Sequence, residues 1–184
     1  MRDVFESVLW SIHFATNQEL DPEDRFAKIR PIFDNLNSQA QLYLPVGEIL
    51  SVGAMMIPYY GHHGDKQYIR GKPIWFGFKI WEICDVKGFT RHLEPYCGKS
   101  TLLEQFGLGQ GPDVVLGLCK KSDVSPGTKI YFDNLFSSMP LLNKLSKLGL
   151  GETGTLRQNR MYAIPLPSDK QMKKDYDRGE YSQL

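Results

Sequence analysis

Lys129-Ile130-Tyr131-Phe132-Asp133-Asn134-Leu135-Phe136-Ser137-Ser138 is the stretch that decides the fold. Its first four residues make a short apolar strand, which delivers Asp133 at its carboxyl end, where α/β sheets open their ligand crevices. Ser137 or Ser138 can then cap a helix running through Pro140, Leu141, Leu142, Leu145 and Leu148, closed by Gly149. On pattern alone two readings of Asp133 stay open: a functional carboxylate, or an aspartate that caps the turn behind it.

Working outward, Gly151 to Leu156 reads as a last strand. Upstream, Ser125-Pro126-Gly127 punctuates, and Val114, Val115, Leu118 and Cys119 share one face of a helix from about 113 to 121, with Pro112 suited to its first turn. Earlier still, Ile49 to Ile57 reads as a largely buried strand ending at Pro58. A polar loop from Tyr60 to Pro73 separates it from a hairpin of Ile74 to Ile83 and Phe89 to Pro95, turned at Asp85-Val86-Lys87-Gly88. A three-strand meander followed by helix, strand, helix and strand predicts an α/β fold, an RNase H-like mixed sheet flanked by helices.

Residues 1–46 predict a small N-terminal helical region. Val4, Phe5, Val8, Leu9, Ile12 and Ala15 place a helix over residues 3–15. A second helix is predicted from the Asp21-Pro22-Glu23-Asp24 start through Leu36, kinked or restarted at Pro31. Residues 47–160 form the sheet domain, and 161–184 are expected to be an irregular tail in which the domain breaks off.

The chain has 184 residues, of which 41% are hydrophobic, enough for one sizeable core. With 22 Lys and Arg against 21 Asp and Glu, the charge of +1 excludes a global basic field, so any nucleic-acid role rests on local patches. Residues 1–50 carry 4 basic and 8 acidic side chains, and residues 51–156 carry 12 and 9. Cys84, Cys97 and Cys119 show no CxxC spacing, which favours buried packing and a reducing, intracellular setting. No apolar run reaches the roughly 20 residues of a membrane helix, so a soluble protein is expected. His62 and His63 beside Asp65 lack the spaced partners of a zinc site and read as a solvated loop. Trp10 and Phe14 read as core or interface.

Tyr131-Phe132-Asp133-Asn134-Leu135-Phe136-Ser137-Ser138, Pro140-Leu141-Leu142 and Gly154-Thr155-Leu156-Arg157-Gln158-Asn159-Arg160 closely resemble the piggyBac family of DDE transposases. So do Ile12-His13-Phe14, Asp24 to Pro31 and Gly71 to Lys79, in the same order. The resemblance implies a cut-and-paste enzyme in which three separated aspartates hold two divalent ions. Hard Mg²⁺ takes oxygen ligands, and paired ions stabilise the entering and leaving oxygens of phosphoryl transfer.

Asp133 matches the family's second aspartate. The first belongs to a Ser/Thr-hydrophobic-Asp-Glu block, for which this chain has Ser51-Val52-Gly53-Ala54, so Gly53 stands in place of a carboxylate. Glu48 is a poor replacement, roughly 16 Å away along an extended strand and on the opposite face. The third lies in a Gly-Gly-Val-Asp-like block beyond the matched region. Asp133 is therefore expected to be a vestigial catalytic and metal residue. No cofactor is expected of this chain, with Mg²⁺ assigned to the ancestral enzyme.

DNA contact can outlive such a loss, because phosphate affinity comes from Lys and Arg. Arg157 and Arg160 match family positions facing target DNA; Lys66, Arg70, Lys72 and Lys79 form a further basic stretch, interleaved with Tyr68, Trp75 and Phe78, whose first reading is an ordinary solvated loop and hairpin face, with DNA contact as the other. The expected function is that of a transposon-derived nuclear protein without catalysis that retains DNA as a partner, with dimerisation through the N-terminal helices. The alternatives are part of an active transposase and a nonfunctional relic.

Overall fold

Alternation along Ile49–Pro58 sends Leu50 and Val52 to one side of a strand and Ser51 and Gly53 to the other, and this strand, β1, organises the sheet. A computed structural model describes residues 2–157, 160 and 166–181. β1 pairs antiparallel with β3 (Phe76–Asp85), in a register running from Leu50↔Asp85 to Pro58↔Gly77. Its other edge pairs in parallel with β5 (Lys129–Phe132), which in turn pairs in parallel with β6 (Gly151–Gly154). β2 (Gln67–Tyr68) and β4 (Thr90–Pro95) both lie on the far edge of β3. The result is a mixed six-stranded sheet of RNase H-like order.

One face of the sheet carries the core. Leu50, Val52, Trp81, Ile83, Ile130 and Phe132 meet Val115 and Leu118 of α3 (Gln110–Lys121) and Leu141 and Leu145 of α4 (Met139–Lys147). α4 begins where Ser138 accepts the N–H of Leu141 and Met139-Pro140 opens the first turn. α3 starts three residues before the predicted 113, because Gly109 at φ 99° turns the chain into the helix.

α2 (Arg30–Tyr43) covers the edge of the sheet. Its buried Asn37 donates to the carbonyl of Leu93 at 3.0 Å and accepts the Leu93 N–H at 2.8 Å, imitating a further strand and blocking the outer edge of β4. Arg30 grips Asp24 through two hydrogen bonds of 2.6 and 3.0 Å and reaches Glu94 of β4 at 3.1 Å. This buried network ties residues 24–30 to the sheet.

Several expectations are corrected. The helical stretch expected from Asp21 is a run of turns up to Ile29, where the Asp24 carboxylate accepts the Phe26 N–H and so competes with helix; Pro31 marks the true start of α2. α1 spans Arg2–Ser11 and stops short of residue 15. None of its apolar residues is buried, and Trp10 is 87% exposed, which removes Trp10 from the core. The loop after β1 contains β2, and β3 begins at Phe76, since Ile74 and Trp75 belong to the hairpin turn. The tail is not wholly irregular: Ser168 and Gln171 form a reciprocal capping box opening α5 (Asp169–Asp175). Among the described residues no helix is long and apolar enough to cross a membrane.

Candidate functional site

Asp133 follows the last residue of β5, at the carboxyl ends of the two parallel strands β5 and β6 and level with the middle of β1. Its Oδ1 accepts the N–H of Leu135 at 2.6 Å, and its carbonyl accepts from Phe136 N and Ser137 Oγ. The two readings of Asp133 thus coexist, a strand-end carboxylate that also organises its own turn.

The register running from Ile49↔Lys129 to Val52↔Phe132 carries Gly53 to the level of Asp133. Val52 and Phe132 point into the core, so Gly53 belongs to the opposite face. A Cβ built at Gly53 would meet nothing within 4 Å. Across the antiparallel pair, Gly53 faces Glu82 of β3. Directly opposed residues share a face, with Cβ positions about 5 Å apart. Glu82 is therefore a carboxylate beside Gly53 that strand periodicity could not have found, because only the β1–β3 register brings it there. Its carboxylate contacts Cys84 Sγ at 3.6 Å.

The basic residues divide into two groups. Arg157 and Arg160 converge on the turn after Asp133: Arg157 Nε donates to Asn134 Oδ1 at 3.1 Å, and Arg160 donates to the carbonyls of Asn134 and Ser137 at 2.9 and 3.0 Å. Lys79 turns inward, its ammonium 3.5 Å over the ring of Trp81 and 5.5 Å from that of Tyr96. Burial, reinforced by Lys72, pushes the Lys79 ammonium down to about 8, while Asp133 pulls it the other way. Arg70 and Lys72 stay exposed in the turn between β2 and β3.

Elsewhere the chemistry is structural. His63 accepts the Asp65 N–H and packs against Phe78, and Arg25 holds the Asp65 carboxylate at 2.7 Å, so this loop makes no ligand set. Cys97 and Cys119 are buried, and burial raises their thiols to about 11 and about 12; Cys84 is half-buried beside Thr90. Among the described residues, no group of three His, Cys, Asp or Glu could hold a metal ion. With glycine at position 53, the residues flanking Asp133 do not fit a paired-ion centre, which needs converging oxygen ligands.

The sheet order and the strand-end aspartate define a transposase-type RNase H-like domain, and comparison with known proteins agrees. A family model described as Transposase IS4 matches residues 1–183, and the chain belongs to that family. It is 38% identical to the human PiggyBac transposable element-derived protein 3 over 98% of its own length, covering 30% of that protein. It is also 38% identical to the human PiggyBac transposable element-derived protein 2 over 94% of its length, again covering 30% of the relative. Among solved structures it resembles a piggyBac transposase synaptic complex with hairpin DNA, with a TM-score of 0.78, 26% identity, and coverage of 98% of this chain and 37% of that one. The chain thus spans about a third of the length of these relatives. A DDE transposase family implies a divalent metal in the ancestral enzyme.

Proposed function

We propose that this chain is a piggyBac-derived domain that no longer performs DNA strand chemistry and retains DNA binding. The observation that carries the first half is Gly53: it stands level with Asp133, and it offers no oxygen to a metal. A lone carboxylate holds Mg²⁺ weakly, because that ion retains its waters unless several ligands converge. Asp133 is then a vestige whose remaining work is the turn it caps. Support for the second half is the cationic set around that turn, Arg157 and Arg160, with the exposed Lys72 and Arg70 in the β2–β3 turn; Lys79, turned onto Trp81, is withdrawn from it. The solved relative, a transposase in complex with DNA, supports the same reading.

The exposed apolar face of α1, with Val4, Phe5, Val8 and Leu9 uncovered, suits self-association through the N-terminal helices. A nuclear location accompanies a DNA-binding role. Sedimentation of the protein and of Val8→Glu tests the self-association. The decisive experiment incubates purified protein and transposon-end DNA with Mg²⁺ or Mn²⁺: no nicking is expected, and nicking abolished by Asp133→Ala would overturn the reading.

A further inference from the structure

The hairpin formed by β2 and the start of β3 carries a surface that the loss of catalysis leaves unexplained. From Lys66 to Trp81 the sequence holds four basic side chains and no acidic one, in a chain whose overall charge is +1. The hairpin is a built element. Gln67↔Gly77 and Tyr68↔Phe76 pair antiparallel, the Ile69 N–H extends the ladder to the Trp75 carbonyl at 2.9 Å, and Gly71 at φ 89° makes the turn.

Three aromatic side chains on this hairpin face solvent: Tyr68, Trp75 and Phe76 are 54, 53 and 44% exposed. They pack on one another, Tyr68 against Phe76 with centroids 4.8 Å apart and against Trp75 edge-on at 6.4 Å. The Lys66 ammonium lies 5.7 Å from the centre of the Phe76 ring. Packing of this kind holds the rings in place while leaving ring area open, so little further ordering is required of a ligand that stacks on them.

Charge selects the partner. A hairpin offering exposed aromatic rings and cations, with no acidic residue from Lys66 to Trp81, complements a strand that brings exposed bases and phosphates together. A duplex presents phosphates but hides its base faces, so it would use the cations and leave the rings idle. We propose that the β2–β3 hairpin is a stacking platform for unpaired nucleotides of a DNA strand, its bases lying on Trp75 and Tyr68 and its phosphates meeting Lys66, Arg70 and Lys72. The inference rests on the DNA-binding reading above and adds to it the state of the DNA.

Tryptophan fluorescence tests it. Trp81 is buried, so a Trp10→Phe background leaves Trp75 as the exposed reporter. Titration of the whole chain at low salt with oligo-dT of about 12 nucleotides is expected to quench this emission, whereas a duplex of equal length quenches little. Trp75→Leu is expected to weaken oligo-dT binding about 5- to 150-fold, as loss of one stacked base predicts. Duplex affinity should stay within about twofold, and Trp75→Phe should restore most of the loss. Circular dichroism melts confirm that each variant folds. Duplex binding without quenching or preference for oligo-dT would overturn the platform and leave the DNA-binding reading standing. Absence of binding to either DNA would overturn both, and tighter binding of oligo-rU or of a polyglutamate peptide would overturn the assignment to DNA.

Discussion

Gly53 and Glu82 stand directly opposite one another on β1 and β3, and the space above Gly53 is open. Gly53→Asp should therefore fold, with only the roughly 0.2–1 kcal/mol penalty of like charges placed opposite each other in a sheet. The melting temperature of the native chain should not respond to millimolar Mg²⁺. That of the variant should rise, because carboxylates at 53 and 133 would then converge with Glu82 nearby. Adding Glu82→Gln should relieve the repulsion without metal. Unchanged melting of Gly53→Asp in Mg²⁺ would show that the position does not face Asp133.

Arg30 holds two buried carboxylates at once, Asp24 and Glu94. The guanidinium keeps Asp24 below the usual carboxylate range, whereas burial pushes Glu94 up despite the same partner. Arg30→Ala strands both acids, and urea denaturation should register a loss of about 3–5 kcal/mol. A loss under 1 kcal/mol would mean that the network closes without it.

His92 is buried, and both ring nitrogens lack a partner. Burial first, then Lys121 and Arg30, push the imidazole down to about 4. Between that value and the ordinary 6.5 the unfolded chain binds a proton that the folded chain refuses, so stability falls as pH falls through this window. The expected loss between pH 7 and 4.5 is on the order of 2 kcal/mol. His92→Leu should flatten this part of the pH profile, separating the histidine from Asp24 and Glu94. An identical slope in the variant would take the effect away from His92; Glu94, its carboxyl raised by burial, acts with the opposite sign.

Arg157 and Arg160 meet the same turn in different ways, one through the Asn134 side chain and one through backbone carbonyls. Arg157→Ala should leave the melting temperature nearly unchanged and lower the slope of log affinity against log salt for duplex DNA by about 0.9. Arg160→Ala should lower the slope similarly and also destabilise the fold by about 1–2 kcal/mol, because the carbonyls of Asn134, Leu135 and Ser137 lose a charged donor. Equal binding by native protein and the double variant would remove these arginines from the DNA contact.

Gly77 packs under β1 so closely that an added Cβ would stand 1.9 Å from the Ile57 carbonyl oxygen. Gly77→Ala should cost several kcal/mol or prevent folding, whereas Gly53→Ala, in open space on the neighbouring strand, should be near neutral or stabilising. Comparable stability of the two variants would contradict the β1–β3 packing.

What the sequence determined by itself is whatever short-range periodicity and capping encode. The strand over Ile49 to Pro58, the Ser138-Met139-Pro140 helix start and the placing of Asp133 at a strand end all survive in the structure, because each depends on residues within a few positions of one another, although the strand expected to be largely buried is buried only at Leu50 and Val52. The α5 capping box was equally local, and the mixed charges beyond Pro167 masked it. Only the tertiary structure decided which strand edges meet. The partnership of Gly53 with Glu82 and the grip of Arg160 on the Asp133 turn join residues about 20 to 30 apart, and a one-residue slip in the β1–β3 register would undo the first of them. The stripe on α1 marks the same boundary from the other side: periodicity predicts a helix, but it cannot supply a surface for that helix to cover, and none covers it among the described residues.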